Sequence, residues 1–269
     1  MAEQILAELK KIPPVTRVSV VSLVGLTVPV MAKLVNPAYF VYFGPWVWSK
    51  FQLWRIPAAF FVGSTNINFV FEVAMLYRML NQLESGHFAG NSSDLAFQLA
   101  VAGASIILAT RPLSSVLFLH SLLACLSYVT SALAPPGAQT SLMGLVTLPV
   151  RYFPYVMVIM DLLMAGPRAA AESVAGIIVG HAWWWGVWGG DLSATGGVLA
   201  EYALAPAWLR RFFGEGARRR REGEGTRTAT GGVATGLRAS GIEVVAPRRV
   251  ANASSPEGHQ WGQGNRLGS

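Results

Sequence analysis

Residues 176–185 read GIIVGHAWWW. On a helix, Gly176 and Gly180 lie one turn apart on the same face and let a second helix approach closely. His181 follows the second glycine inside an apolar run, 173–187. Comparable runs lie upstream at 18–35, 67–83, 95–110, 113–133 and 142–166, each about the length needed to cross a ~30 Å hydrocarbon core. The chain of 269 residues is 52% hydrophobic and 13% charged, against roughly 25% charged for an average soluble domain. The first 205 residues therefore read as an all-α membrane domain of six helical spans.

The connections refine this picture. Residues 38–55, AYFVYFGPWVWSKFQLWR, are aromatic, and Gly44-Pro45 forbids one continuous helix. Trp and Tyr prefer the headgroup level, so this stretch is expected as an interfacial loop. Trp54 and Arg55 close it, with the guanidinium expected to reach lipid phosphate. The polar GSTNIN (63–68) leads into the second span, which holds Glu72. A charge near a helix centre costs about 2.5–3.5 kcal/mol on insertion. Glu72, together with Asn66 and Asn68, is therefore expected to face protein or a wet cavity, while Arg78 can snorkel. The fifth span is broken by Pro149, Arg151 and Pro154. Its continuous part, 152–165, covers only about 21 Å at 1.5 Å per residue, a length that a bilayer accommodates by thinning. Segment 195–209 is too short and polar to cross and is expected to lie amphipathically on the surface. Cys125, the single cysteine, allows no internal disulfide and is expected in the core. Lys10, Lys11 and Arg17 ahead of 18–31 resemble a signal peptide, but the length of the run and the five that follow favour an uncleaved span.

Between residues 206 and 269 there are eleven Arg and five Glu, a net +6 of the chain's +7. Residues 214–260 bury too little apolar area to offset ordering and are expected to be disordered. The four arginines at 218–221 suit anionic lipid, at ~1 kcal/mol per charge; nothing interleaves them with the aromatics that a nucleic-acid partner would call for. The division is thus an N-terminal segment 1–14, a membrane domain 15–213 and a basic tail 214–269. An even number of spans puts both ends on one side, and the basic residues make that side cytosolic. The tail ends in WGQGNRLG (261–268). Trp261 and Leu267 read as two apolar plugs, Gly262 and Gly264 let the backbone lie close to a partner, and Arg266 supplies a rim charge. The preceding tail is a leash of about 50 residues that keeps this plug near the membrane at high effective concentration.

Six spans, an interfacial loop ending in Trp-Arg, and a last span with Gly-x-x-x-Gly-His resemble the rhomboid superfamily. Its proteases need a serine in Gly-x-Ser-Gly beside a basic histidine, because serine alone is a weak nucleophile. His181 stands where the base would, but Gly-x-Ser-Gly is absent; Ser114-Ser115 opens the fourth span without flanking glycine. His181 is accordingly expected as a satisfied interior histidine, with Gly176 and Gly180 serving helix packing. Within the superfamily PPVTR (13–17), NPAYF (36–40), FQLWR (51–55), QLESGHF (82–88) and GIIVGHAWWW (176–185) are similar to the Derlins, rhomboid-like pseudoproteases of the endoplasmic reticulum. WGQGNRLG resembles the motif by which Derlins dock on the AAA ATPase valosin-containing protein. The resemblance implies a non-catalytic, multi-pass protein of the endoplasmic reticulum membrane that retrotranslocates misfolded proteins for ubiquitin-dependent degradation. It implies partners in that ATPase, a ubiquitin-ligase complex, misfolded substrates and the lipid bilayer, and allows a homo-oligomer, with no cofactor and no metal. The alternative is an intramembrane serine protease using His181. A solute transporter would often carry an internal repeat, which is not seen.

The topology is testable through two sequons, Asn91-Ser92-Ser93 and Asn252-Ala253-Ser254. Both fall on the cytosolic side and stay unmodified. Endoglycosidase treatment of the chain made in microsomes leaves its mobility unchanged; a shift would invert the orientation.

Overall fold

The computed structural model describes residues 12–135, 137–142, 146–190 and 197–215. Helix α1, Pro14–Met31, starts at a Pro-Pro step, where proline fits the first helical turn because no N–H is needed there. It buries Thr16, Ser19, Leu23, Thr27 and Val30 at helical spacing and exposes Val18, Val21, Val24 and Val28. The stripe turned inward is thus the more polar one and the outward stripe is all valine, the reverse of a helix on a soluble protein. A short α2 (Gly44–Ser49) and α3 (Arg55–Ala58) fill the aromatic connection. Helices α4 (Asn68–Ser85), α5 (Ser92–Ala109) and α6 (Leu119–Ala132) follow, then a two-stranded antiparallel ribbon, β1 (Gln139–Leu142) with β2 (Val146–Pro149). Thr140 pairs with Leu148 in its register. Helices α7 (Phe153–Ala165), α8 (Pro167–Trp188) and α9 (Ala207–Phe212) complete the described chain.

The six apolar runs become α1, α4, α5, α6, α7 and α8, with altered ends. Among the described residues, α1 and α5 are long and apolar enough to cross a membrane by themselves; the other four are shorter or more polar. The first run is helical only to Met31, and Lys33 takes a positive φ of 56° before Asn36-Pro37 is reached. The fourth is a turn at Arg111–Leu113 with Ser114 left-handed, so that α6 begins at Leu119. The fifth departs most. Its first part is ribbon rather than interrupted helix, because the Val146-Thr147 pair favours strand and Pro149 ends it. The remaining 13 residues of α7 span about 20 Å. Gly166, at φ 88°, makes the turn into α8 that a side chain would strain. The sixth helix begins six residues earlier than 173, at Pro167.

Helix α6 is the hub. Ser121 through Ser127 are buried without a break, so it is surrounded, packing on α8 most extensively and on α4 and α7 besides. Its seam with α8 is set by glycine. A methyl on Gly176 would overlap the Ser121 carbonyl oxygen, and one on Gly180 would lie 2.8 Å from that of Cys125. The two carbonyls are four residues apart, as are the two glycines, so successive turns of both helices meet backbone to backbone. Cys125 is fully buried in this seam.

Segment 195–209, expected on the surface, is only partly so. Tyr202 and Trp208 are exposed, but Ala203 and Ala205 are buried. Gln98 of α5 donates to the Ala203 carbonyl at 3.0 Å, and Asp94 accepts from Ala205 N–H at 2.7 Å. Beyond α9, Glu215 accepts from Ser93 N–H at 3.0 Å and from its hydroxyl. Sequence pattern hid this docking because backbone groups carry it.

The glycine seam predicts a contrast. Gly176→Ala destabilises the chain by about 1–3 kcal/mol, as overpacking does, in chemical unfolding from detergent micelles. Gly25→Ala in α1, with open space around it, is neutral or gains up to about 1 kcal/mol from helix propensity.

Candidate functional site: polar groups held between the helices

Six segments bring polar side chains to one place. Glu72 on α4 is buried and accepts from Ser64 N–H at 2.8 Å and from the Ser64 hydroxyl. Gly63 stands against this carboxylate with no room for a side chain, and its N–H donates to the Thr27 hydroxyl of α1 at 2.9 Å. His120, in the first turn of α6, places Nε2 3.3 Å from a Glu72 oxygen and Nδ1 3.5 Å from an Asp161 oxygen of α7. Asp161 accepts from the hydroxyl of Ser173 on α8. One imidazole therefore bridges two carboxylates from two different helices, with α1 and α8 joined through Thr27 and Ser173. The His120 side chain is 40% exposed, so the cluster opens on one side.

Glu72 is the member visible in the sequence. Asn66 is exposed and Asn68 half-buried, and neither takes part in the cluster. His120 carries no motif of its own, whereas His181 sits in Gly-x-x-x-Gly-His. The two acids inside apolar runs, Glu72 and Asp161, called for donors, but His120, Cys125 and Tyr128 all lie in the run 113–133 and the sequence does not select among them.

His181 is a correction. It is exposed rather than interior, and its Nδ1 lies 2.6 Å from the Tyr128 hydroxyl. The seam filled by Gly176 and Gly180 turns the next position of α8 outward. Ser115 is buried and donates to Glu172 at 2.8 Å, while Arg168 lies 3.6 Å from the same carboxylate oxygen. Glu172 precedes His181 by nine residues of α8, about 13 Å of helix. Ser115, which meets α8 at Glu172, and His181 thus lie at different parts of α8 and form no nucleophile–base pair, which removes the protease reading.

Arg55 is the second correction. It is 3% exposed and turned inward. Its Nε donates to Gln52 at 2.6 Å, one Nη donates to the carbonyls of Ala38 and Val41 at 2.7 and 2.8 Å, and the guanidinium lies 5.0 Å from the Trp46 ring centre. The irregular loop leaves carbonyls unpaired, and the five-donor fork is the group that satisfies several at once. Trp54 is 56% exposed. Trp261, Gly262, Gly264, Arg266 and Leu267 lie outside the described residues, as does the tail beyond Glu215.

The Der1-like family matches residues 12–187 of the chain. Derlin-1 of Arabidopsis thaliana is 31% identical over 204 residues, covering 75% of this chain and 74% of that protein. Derlin-1.2 of Zea mays is 29% identical over 206 residues, covering 76% and 82%. Derlin-1 of Bos taurus is 26% identical over 266 residues, covering 96% of each.

The bridge predicts non-additive energetics. His120→Leu alone strands two buried carboxylates and costs about 1–3 kcal/mol. The triple change of Glu72, His120 and Asp161 to Leu costs less than that single change, because it removes the groups that need partners. Unfolding of all variants in micelles reads the difference.

Proposed function

The chain belongs to the Der1-like family, and on that premise we propose that it carries misfolded proteins out of the endoplasmic reticulum for ubiquitin-dependent degradation. Derlins are non-catalytic pseudoproteases, and the chain is not an enzyme. In this reading the six long helices cross the membrane of the endoplasmic reticulum in rhomboid-like order, with both ends in the cytosol.

The observation that carries the reading is the Glu72–His120–Asp161 cluster beside a 13-residue α7. Moving a polypeptide through lipid is costly because each unsatisfied backbone polar group loses several kcal/mol in hydrocarbon. A half-open polar cluster draws water inward, and a helix of about 20 Å pulls the hydrocarbon surfaces together. Both shorten the distance over which the substrate lacks partners. Trp54 and the aromatic loop seat the domain in the far leaflet. The tail then brings the motor: Trp261 and Leu267 plug into the AAA ATPase valosin-containing protein, Gly262 and Gly264 admit its surface, and Arg266 pairs at the rim. A ubiquitin-ligase complex of the same membrane tags what emerges.

Two separable defects test this. Trp261→Ala with Leu267→Ala abolishes capture of the ATPase in pull-downs with the full chain and leaves substrate crosslinking intact. Trp54→Ala or Gly180→Ala lowers substrate crosslinking and leaves ATPase capture intact. Equal loss of ATPase capture in both sets refutes the division of labour.

A further inference from the structure

An open cavity of about 340 Å³ lies between the aromatic connection and the turn that joins α5 to α6, lined by Tyr42, Ile107, Thr110, Arg111, Ser114 and Phe118 among others. Its two sides are tied together. Tyr42 N–H donates to the Val116 carbonyl at 2.9 Å, and the Tyr42 ring meets Phe118 edge-on at 5.4 Å. The turn is braced from behind by Arg168, which donates to the Leu113 and Ser114 carbonyls at 3.0 Å each. The site is therefore built rather than a gap between loose loops.

Its polar groups are unused. Among the described residues, the Arg111 guanidinium and the hydroxyls of Ser114 and Tyr42 have no protein partner. The nearby carboxylate, Glu172, is already held by Ser115 and Arg168, so Arg111 leaves one uncompensated positive charge at the rim. Ile107, Phe118 and the Tyr42 ring make the floor apolar. A planar fork, two hydroxyls and an apolar floor suit a phosphate ester with carbon attached.

Position selects the source. Leu108 is 63% exposed and ends the outward apolar stripe of α5, and Arg111 comes one turn later. Phe43 and Trp46, on the aromatic connection that forms the opposite wall, are exposed too. On the proposed membrane-spanning reading, the cavity mouth then sits where hydrocarbon gives way to headgroups. We propose that this cavity binds the headgroup phosphate of a bilayer phospholipid, held by Arg111 with Ser114 and Tyr42. A lipid pinned there fixes the headgroup plane of that leaflet against the bundle, beside the polar cluster.

Native mass spectrometry of the full chain released from phosphatidylcholine nanodiscs doped with phosphatidic acid tests the site. The wild-type chain retains a phosphatidic acid adduct. Arg111→Gln lowers retention about tenfold, the size expected for one charge-assisted contact, without altering thermal unfolding, since Arg111 holds nothing within the protein. Arg111→Lys recovers part of the loss, and Tyr42→Phe weakens retention while keeping the aromatic contact. Equal retention by Arg111→Gln overturns the proposal. So does equal retention of a galactolipid that lacks phosphate. Arg111-dependent binding of inorganic phosphate without any lipid adduct makes the cavity a solvent-anion site and likewise overturns it. ATPase capture and substrate crosslinking, followed in parallel, report separately on the proposed function, so that failure of one reading is distinguishable from failure of the other.

Discussion

Hydrocarbon offers no hydrogen bonds, so a helix that faces it must settle every polar group with protein. The described structure follows that constraint closely, the buried Ser131 hydroxyl of α6 being an exception. Its outward faces are Val18, Val21, Val24 and Val28 on α1 and Ile159, Leu162, Leu163 and Met164 on α7. Its inward faces carry Thr16, Ser19, Thr27, Glu72, Glu84, Asp94, Gln98 and Ser173. At two helix starts, free N–H groups are met by side chains from elsewhere in the chain. Helix α1, which begins at a proline with no capping side chain of its own, is capped by Glu84 of α4. That carboxylate is 2% exposed and accepts from Val15 N–H at 2.9 Å, Thr16 N–H at 2.7 Å and the Thr16 hydroxyl at 2.7 Å. Helix α5 is capped at Ser93 by Glu215. A carboxylate at a helix start also complements the positive end of the helix dipole. Each cap doubles as a tertiary contact, so helix termination and helix assembly are one event.

The six main helices were legible in the sequence because apolar runs separated by Pro and Gly are a strong signal. Less legible were the ends, which depend on local backbone choices. The ribbon at 139–149 was missed because its apolar residues continue the run of the fifth span, and composition cannot separate a buried strand from a helix of equal hydropathy. Of the candidate site, Glu72 was visible because a carboxylate inside an apolar run is anomalous on its face. Arg55 was visible but pointed the wrong way. An arginine in an aromatic loop reads as a lipid contact, and only the folded loop reveals that Ala38 and Val41 leave carbonyls for it to satisfy. The partner of Glu72 was illegible, since His120 lies 48 positions away and no spacing rule links them. Gly176 and Gly180 announced a close seam by their spacing alone; the identity of the facing carbonyls, Ser121 and Cys125, required the fold.

Helix α7 illustrates how the constraint can be met unevenly. Its buried residues are Phe153 and Pro154, at the start, and Met157 packs partly against the core; farther along, Ile159, Met160, Leu162, Leu163 and Met164 face outward. What fastens its other end is polar: Asp161, between His120 of α6 and Ser173 of α8. An apolar contact would be no stronger than the helix's contacts with lipid tails, so in a bilayer small residues and polar pairs do the gluing. The shortest long helix is thus held by the polar cluster itself. Attachment and polarity are not independent features here, since a change at Asp161 alters both together.

The same economy governs the groups that a serine hydrolase would use. A serine hydrolase needs a hydroxyl with its proton near an unoccupied base, and a base whose other nitrogen is oriented by a third group. Ser115 instead directs its proton to Glu172, which is also engaged by Arg168 on its own helix. His181 turns outward on the far part of α8, its Nδ1 taken by Tyr128. The imidazole that does sit among carboxylates, His120, has both ring nitrogens engaged, one by Glu72 and one by Asp161, and is in no position to accept a proton from a nucleophile. Among the described residues, Ser115, His120 and His181 are thus each engaged across two segments, and the contacts that brace the polar interior are the ones that occupy these groups.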